Sequence, residues 1–142
     1  MDWWRKIYVA LKNADVRQIV YVPDAGHAEL IDACIEDNDI ISIPLTTEEE
    51  GVAVLAGAWL GGQRGALLMQ SSGVGNCINM FGLMQTCRIP LAAFVTMRGQ
   101  WNEFNPWQMP MGQGTELALS AMNINVETAD NPKDIFEKSA AV

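Results

Sequence analysis

Four short apolar runs limit the folds open to this chain: QIVYV at Gln18 to Val22, IISIPL at Ile40 to Leu45, ALLMQ at Ala66 to Gln70, and LAAFVTM at Leu91 to Met97. They are nearly continuous in apolar character rather than alternating with polar residues, the pattern of strands covered on both faces. Helical segments separate them. Trp3 to Ala14 puts Trp4, Ile7, Tyr8 and Leu11 on one face, and Ala28 to Asp37 does the same with Leu30, Ile31, Cys34 and Ile35. Glu48 to Gly62 is packed with Ala and Gly, whose small side chains allow a close neighbour, and Gly75 to Cys87 supplies the next helix. The alternation predicts an α/β fold, a mostly parallel sheet with helices on both faces in a flavodoxin-like three-layer arrangement. Pro44 marks the second run as an edge strand or a strand end.

Arg98 to Gly114 (RGQWNEFNPWQMPMGQG) breaks the rhythm, and reads as a long loop whose aromatic content argues against disorder. Thr115 to Met122 restarts a helix, Asn125 to Glu127 is expected as a short strand, and Pro132 opens a final helix running to the chain end. With no linker or repeat, residues 1–142 read as one domain. The alternation leads one to expect a further strand after Val142.

Charge excludes one class of function. Seventeen acidic against nine basic residues leave a net charge of −8, without the Lys and Arg clusters a nucleic-acid surface needs. Gly65 to Cys87 carries no charge, yet Gln70, Ser71, Ser72, Asn76, Asn79 and Gln85 interrupt it, so no membrane span is expected. The first residues carry no leader pattern, which makes the cytoplasm the expected location. Three cysteines (Cys34, Cys77, Cys87) without CxxC spacing point to packing rather than to disulfides or zinc, and the single histidine, His27, leaves no multi-histidine metal site.

Candidate chemistry sits at strand exits and helix starts. Glu48, Glu49 and Glu50 follow Thr46 and Thr47, so Thr46 with Glu49 and Thr47 with Glu50 each fit a capping box. Three acids exceed what a cap requires, and a carboxylate in an apolar cleft can also transfer protons, so the two readings stand side by side. The loop Ser71 to Asn76 between strand and helix fits either a tight turn or an anion cradle, although it lacks a P-loop lysine. His27 and Arg98 follow strands at the edge where open α/β sheets bind ligands, but each equally fits a solvated position. Trp101, Phe104 and Trp107 fit an apolar lid or, with slight preference, a subunit interface.

Four segments taken together, EEEGVAVLAGAWLGG, LLMQSSGVGNCIN, RIPLAAFVTMRG and QMPMGQGT, resemble the pyrimidine-binding domain of thiamine-diphosphate-dependent decarboxylases. The similarity runs from about Val20 to Ile124 and is nearest to the small alpha subunit of the sulfopyruvate and phosphonopyruvate decarboxylase group. It implies a glutamate at the start of the third helix that hydrogen-bonds the aminopyrimidine and favours its imino form. Alignment through Gly51 and Trp59 gives that role to Glu49, flanked by Glu48 and Glu50.

By the same resemblance, Gln70, Ser72, Gly73 and Asn76 belong to a segment lining the cofactor cleft, and His27, Ser71, Arg98 and Gln108 to the substrate side. Ser71 stands where the family often has Asn. The family holds the diphosphate through Mg2+ with a GDG motif, which this chain lacks. The implied assembly is therefore a hetero-oligomer with a diphosphate-binding, beta-type subunit that carries Mg2+, acting on a small 2-keto acid. A carboligase half and a non-catalytic assembly subunit of the same fold are the alternatives.

Overall fold

Parallel strands cannot be joined by a tight turn, so each crossover must carry the chain back over a face of the sheet, usually as a helix. The computed structural model, which describes residues 2–141, follows that rule. Strands β1 (Val16–Tyr21), β2 (Ile41–Pro44), β3 (Arg64–Gln70) and β4 (Ala92–Thr96) form one sheet in the order β2-β1-β3-β4. Every neighbouring pair is parallel, with Ile19 opposite Ser42 and Ala66, and Gln70 opposite Thr96. The helices are α1 (Trp3–Asn13), α2 (Ala28–Glu36), α3 (Glu48–Leu60), α4 (Ser71–Cys87), α5 (Met109–Ala121) and α6 (Ile135–Ala141).

Side-chain alternation along β1 and β3 sorts the core into two halves. Ile19, Tyr21, Ala66 and Leu68 pack with Ile7 and Leu11 of α1 and with Leu30, Ile31 and Cys34 of α2. Val20, Leu67 and Met69 pack on the other face, with Val52 and Leu55 of α3 and Val74, Cys77 and Phe81 of α4. The two central strands are therefore apolar at consecutive positions, as the sequence predicts for a three-layer α/β fold. Pro44 ends the edge strand β2, where its missing N–H costs no ladder bond. Small residues bring α3 close to the sheet: a Cβ at Gly51 would stand 2.8 Å from both Leu45 and Leu67.

Three expectations need correction. Helix α4 begins at Ser71, not Gly75, so the expected Ser71 to Asn76 loop is its first turn and a half. The glycines there serve packing rather than turning. Helix α5 begins at Met109, not Thr115, because Pro110 suits a first helical turn and Gly112 lies against the Arg98 carbonyl, where a Cβ would be 2.0 Å away. Asn125 to Glu127 forms no strand; Ile124 N–H donates to Leu119 O at 3.1 Å and holds this segment to the end of α5, where Val126 packs on the core without joining the sheet. Val142 and the strand expected beyond it lie outside the described residues.

Candidate functional site

The C-terminal ends of β1, β3 and β4 converge on one buried carboxylate. Asp24 accepts from Gln70 Nε2 at 2.7 Å and from Thr96 Oγ1 at 2.6 Å, which ties together the exits of all three strands. Burial alone would raise its pKa, but bonds from Thr96, the Gly26 N–H and Gln70 prevail and hold it below the ordinary carboxylate value. His27 lies beside it at 2% exposure, with Nδ1 3.5 Å from Asp24 Oδ2 and the ring tilted against Trp3. Burial pushes the His27 pKa down and Asp24 only partly opposes this, so the ring is neutral at pH 7. The expected substrate-side histidine is thus at the right edge of the sheet but enclosed.

The three glutamates at the start of α3 have three environments. Glu50 is exposed and turns back on Thr46, accepting its N–H at 3.0 Å and its hydroxyl at 2.7 Å, which lowers the Glu50 pKa. The capping pair is therefore Thr46 with Glu50, one residue off the expected spacing, and Thr47 at the N-cap makes no side-chain cap bond. Glu49 is half-buried, and its carboxylate accepts the Thr47 hydroxyl. Glu48 alone turns inward, at 9% exposure, toward the first turns of α4.

That inward carboxylate is held by two features of α4. Asn76 Nδ2 donates to Glu48 Oε2 at 2.8 Å, and Gly73, one turn earlier, leaves the space the carboxylate fills. A Cβ at 73 would stand 2.4 Å from Glu48 Cγ and 2.5 Å from Oε1. Among the described residues no group donates to Oε1. The arrangement is a carboxylate with one oxygen fixed and the other available, at the N-termini of two helices. Below it the Cys77 thiol is pushed up to about 12 by burial first and then by Glu48 and Glu49, so it is a packing residue and no nucleophile.

The remaining expected residues serve the loop after β4. Ser71 is fully buried, and its hydroxyl accepts the Arg98 N–H at 3.0 Å, which takes it away from any substrate. Arg98 is not free for an anion either, since its guanidinium makes a two-pronged pair with Glu103, both bonds 2.7 Å. Glu103 also accepts the N–H groups of Gly99 and Asn105, and these partners, Arg98 foremost, hold its pKa down to about 2. Ser72 is half-buried in the first turn of α4, and Gln108 has its side-chain oxygen buried without a partner. Among the described residues there is no cluster of ligating side chains for a metal.

Sequence reasoning missed three residues that organise this edge. Asp24 carries no motif of its own, Glu103 lies within the aromatic loop, and Glu48 is placed as a flank. An acid directly after a strand-ending proline was the one signal available for Asp24. Nothing local distinguishes Glu48 from its two neighbours, because their difference arises from what α4 brings up to them.

Residues 1–113 match the family described as thiamine pyrophosphate enzyme, N-terminal TPP binding domain. The chain is 39% identical over 132 residues to the sulfopyruvate decarboxylase subunit alpha of Methanocaldococcus jannaschii, covering 92% of this chain and 78% of that protein. For the same subunit of Methanococcus maripaludis the identity is 37%, covering 92% and 79%. Phosphonopyruvate decarboxylase of Streptomyces viridochromogenes is 36% identical over 98 residues, 68% of this chain and 25% of that protein. The chain belongs to the thiamine pyrophosphate enzymes, as their N-terminal TPP-binding domain.

Proposed function

We propose that this chain is the pyrimidine-binding subunit of a decarboxylase acting on a sulfopyruvate- or phosphonopyruvate-type 2-keto acid, with Glu48 rather than Glu49 as its proton-relay carboxylate. One observation carries the assignment: Glu48 is the acid that turns inward, fixed through Oε2 by Asn76 and accommodated by Gly73. Thiamine diphosphate, when bound, supplies the electron sink for loss of carbon dioxide. Glu48 Oε1 is the atom positioned to share a proton with a ring nitrogen, and a low-dielectric setting between two helix ends makes that hydrogen bond strong. Gln70, Ser72, Gly73 and Asn76 line the pyrimidine side, with Gln70 held in orientation by Asp24.

The residues present fit only part of the cofactor. No metal-ligating cluster stands among the described residues, so the diphosphate and Mg2+ fall to a second, beta-type subunit, and the site lies between the two chains. The chain acts as one domain in a cytoplasmic hetero-oligomer; among the described residues no helix is long and apolar enough to cross a membrane.

The test compares Glu48→Gln with Glu49→Gln in the reconstituted complex. Glu48→Gln is expected to lower kcat by at least 100-fold with assembly intact, and Glu49→Gln by less than 10-fold. The reverse order would return the role to Glu49, and full activity in both variants would overturn the assignment.

A further inference from the structure

The loop after β4 combines rigidity with exposure in a way the site itself does not require. Trp101, Phe104 and Trp107 are 91%, 89% and 83% exposed. The backbone beneath them is held at several points. Glu103, whose side chain is 5% exposed, grips Arg98 and accepts two backbone N–H groups, and Asn105 Oδ1 accepts the Trp107 N–H at 3.2 Å. Arg98 N–H is bonded to Ser71, and Gly99 and Gly112 let α5 press directly on the loop's start. A lid needs a hinge, and this loop is pinned at its root. Large side chains held out in water on a fixed frame are instead the arrangement of interface anchors, which lose little freedom on docking.

We infer that Trp101, Phe104 and Trp107 form a preformed docking surface for the diphosphate-binding partner subunit. This rests on the function proposed above and names the contact that assembles its site. Position argues for that occupant. The loop leaves the sheet at β4, whose last residue Thr96 pairs with Gln70, and is bonded to Ser71, the first residue of the helix that carries Gly73 and Asn76. A chain seated on these aromatics therefore lies at the edge where the half-site is open. Size agrees, since three such side chains offer roughly 600 Å², against roughly 800 Å² for one side of a stable interface. Charge argues against a second copy, because pairing two chains of −8 each adds repulsion. Met109 and Leu117 of α5 are exposed as well.

The experiment measures association of this chain with the separately expressed diphosphate-binding subunit by sedimentation velocity and calorimetry. It uses the wild type, the triple variant Trp101→Ser, Phe104→Ser and Trp107→Ser, and a control, Leu60→Ser, exposed at the far end of α3. The triple variant is expected to keep the wild-type circular dichroism and to bind at least 100-fold more weakly, with the control unchanged. Wild-type affinity in the triple variant, or no association by the wild type, would overturn the proposal. So would a wild-type homodimer that only the triple variant dissociates. A single-residue variant, Trp107→Ser, gives the same reading, as at least a 5-fold loss, if the triple variant fails to fold. Glu48→Gln separates the two ideas: reduced turnover with unchanged association leaves the function standing whatever the loop variants do.

Discussion

Gly73 and Glu48 occupy one another's space: the carboxylate of Glu48 fills the volume that any side chain at 73 would take, with 2.4 Å between a Cβ there and Glu48 Cγ. Gly73→Ala therefore has two opposed effects. Alanine in a helix interior is favourable by about 1 kcal/mol, while overpacking costs roughly 1–3 kcal/mol. Stability should change little, yet the carboxylate must move, so kcat is expected to fall at least 10-fold with Tm nearly unchanged. Steady-state kinetics with thermal unfolding would check it; unaltered kcat would detach Glu48 from the chemistry.

Asp24 is the acceptor for both Gln70 and Thr96. Asp24→Ala leaves both half-buried donors without their partner and is expected to cost about 2–4 kcal/mol, less than two full hydrogen bonds to a charged group at about 1.5–3 kcal/mol each, because water can reach both donors in part. Urea unfolding would measure it, and a loss below 0.5 kcal/mol would contradict the network.

The same carboxylate acts on His27 in the opposite direction to burial. Asp24 raises the ring's pKa while burial, the larger influence, lowers it. Asp24→Asn should therefore move the His27 midpoint further down, as seen in the imidazole proton shifts by NMR. An upward move would contradict the arrangement.

Glu103 and Asp37 predict the acid limb of stability. Arg98 holds Glu103 at about 2, and Lys12 with Tyr8 holds Asp37 at about 2 as well. Both folded values lie below the ordinary 4.5 and 3.8, so their stabilisation is complete above those ordinary values and is lost as pH falls toward 2. Tm is expected to decline between pH 4.5 and 2, and Glu103→Gln should lower Tm at pH 7 while flattening that decline. An equally steep decline in the variant would exclude Glu103 as a source.

Leu67 is fully buried between α3 and the centre of the sheet. Leu67→Ala should cost about 3 kcal/mol, within the ~2–5 kcal/mol typical of core truncations. A loss under 1 kcal/mol in denaturant unfolding would mean that the α3 side of the core relaxes around the gap.

The layer order was readable in the chain itself. Ile19-Val20 and Ala66 to Met69 are apolar at consecutive positions, and only strands covered on both faces bury such runs, so parallel pairing and flanking helices followed from local pattern. Gln70, Gly73 and Asn76, which the resemblance brought forward, stand together at the exit of β3 into α4. What the sequence could not rank was three adjacent glutamates, or glycines that look alike in a string. Gly73 and Gly112 read as parts of loops, but each sits inside a helix and is glycine because another part of the chain comes too close for a Cβ. Glu48 turns inward, and Arg98 is claimed by Glu103, for the same reason: burial and pairing depend on which distant elements the fold brings together, and local spacing carries no record of them. Sequence by itself determined the four sheet strands and the helices that alternate with them, though not where α4 and α5 begin. The tertiary structure decided which carboxylate faces inward, because only the approach of α4 to α3 gives one glutamate a partner and a space of its own.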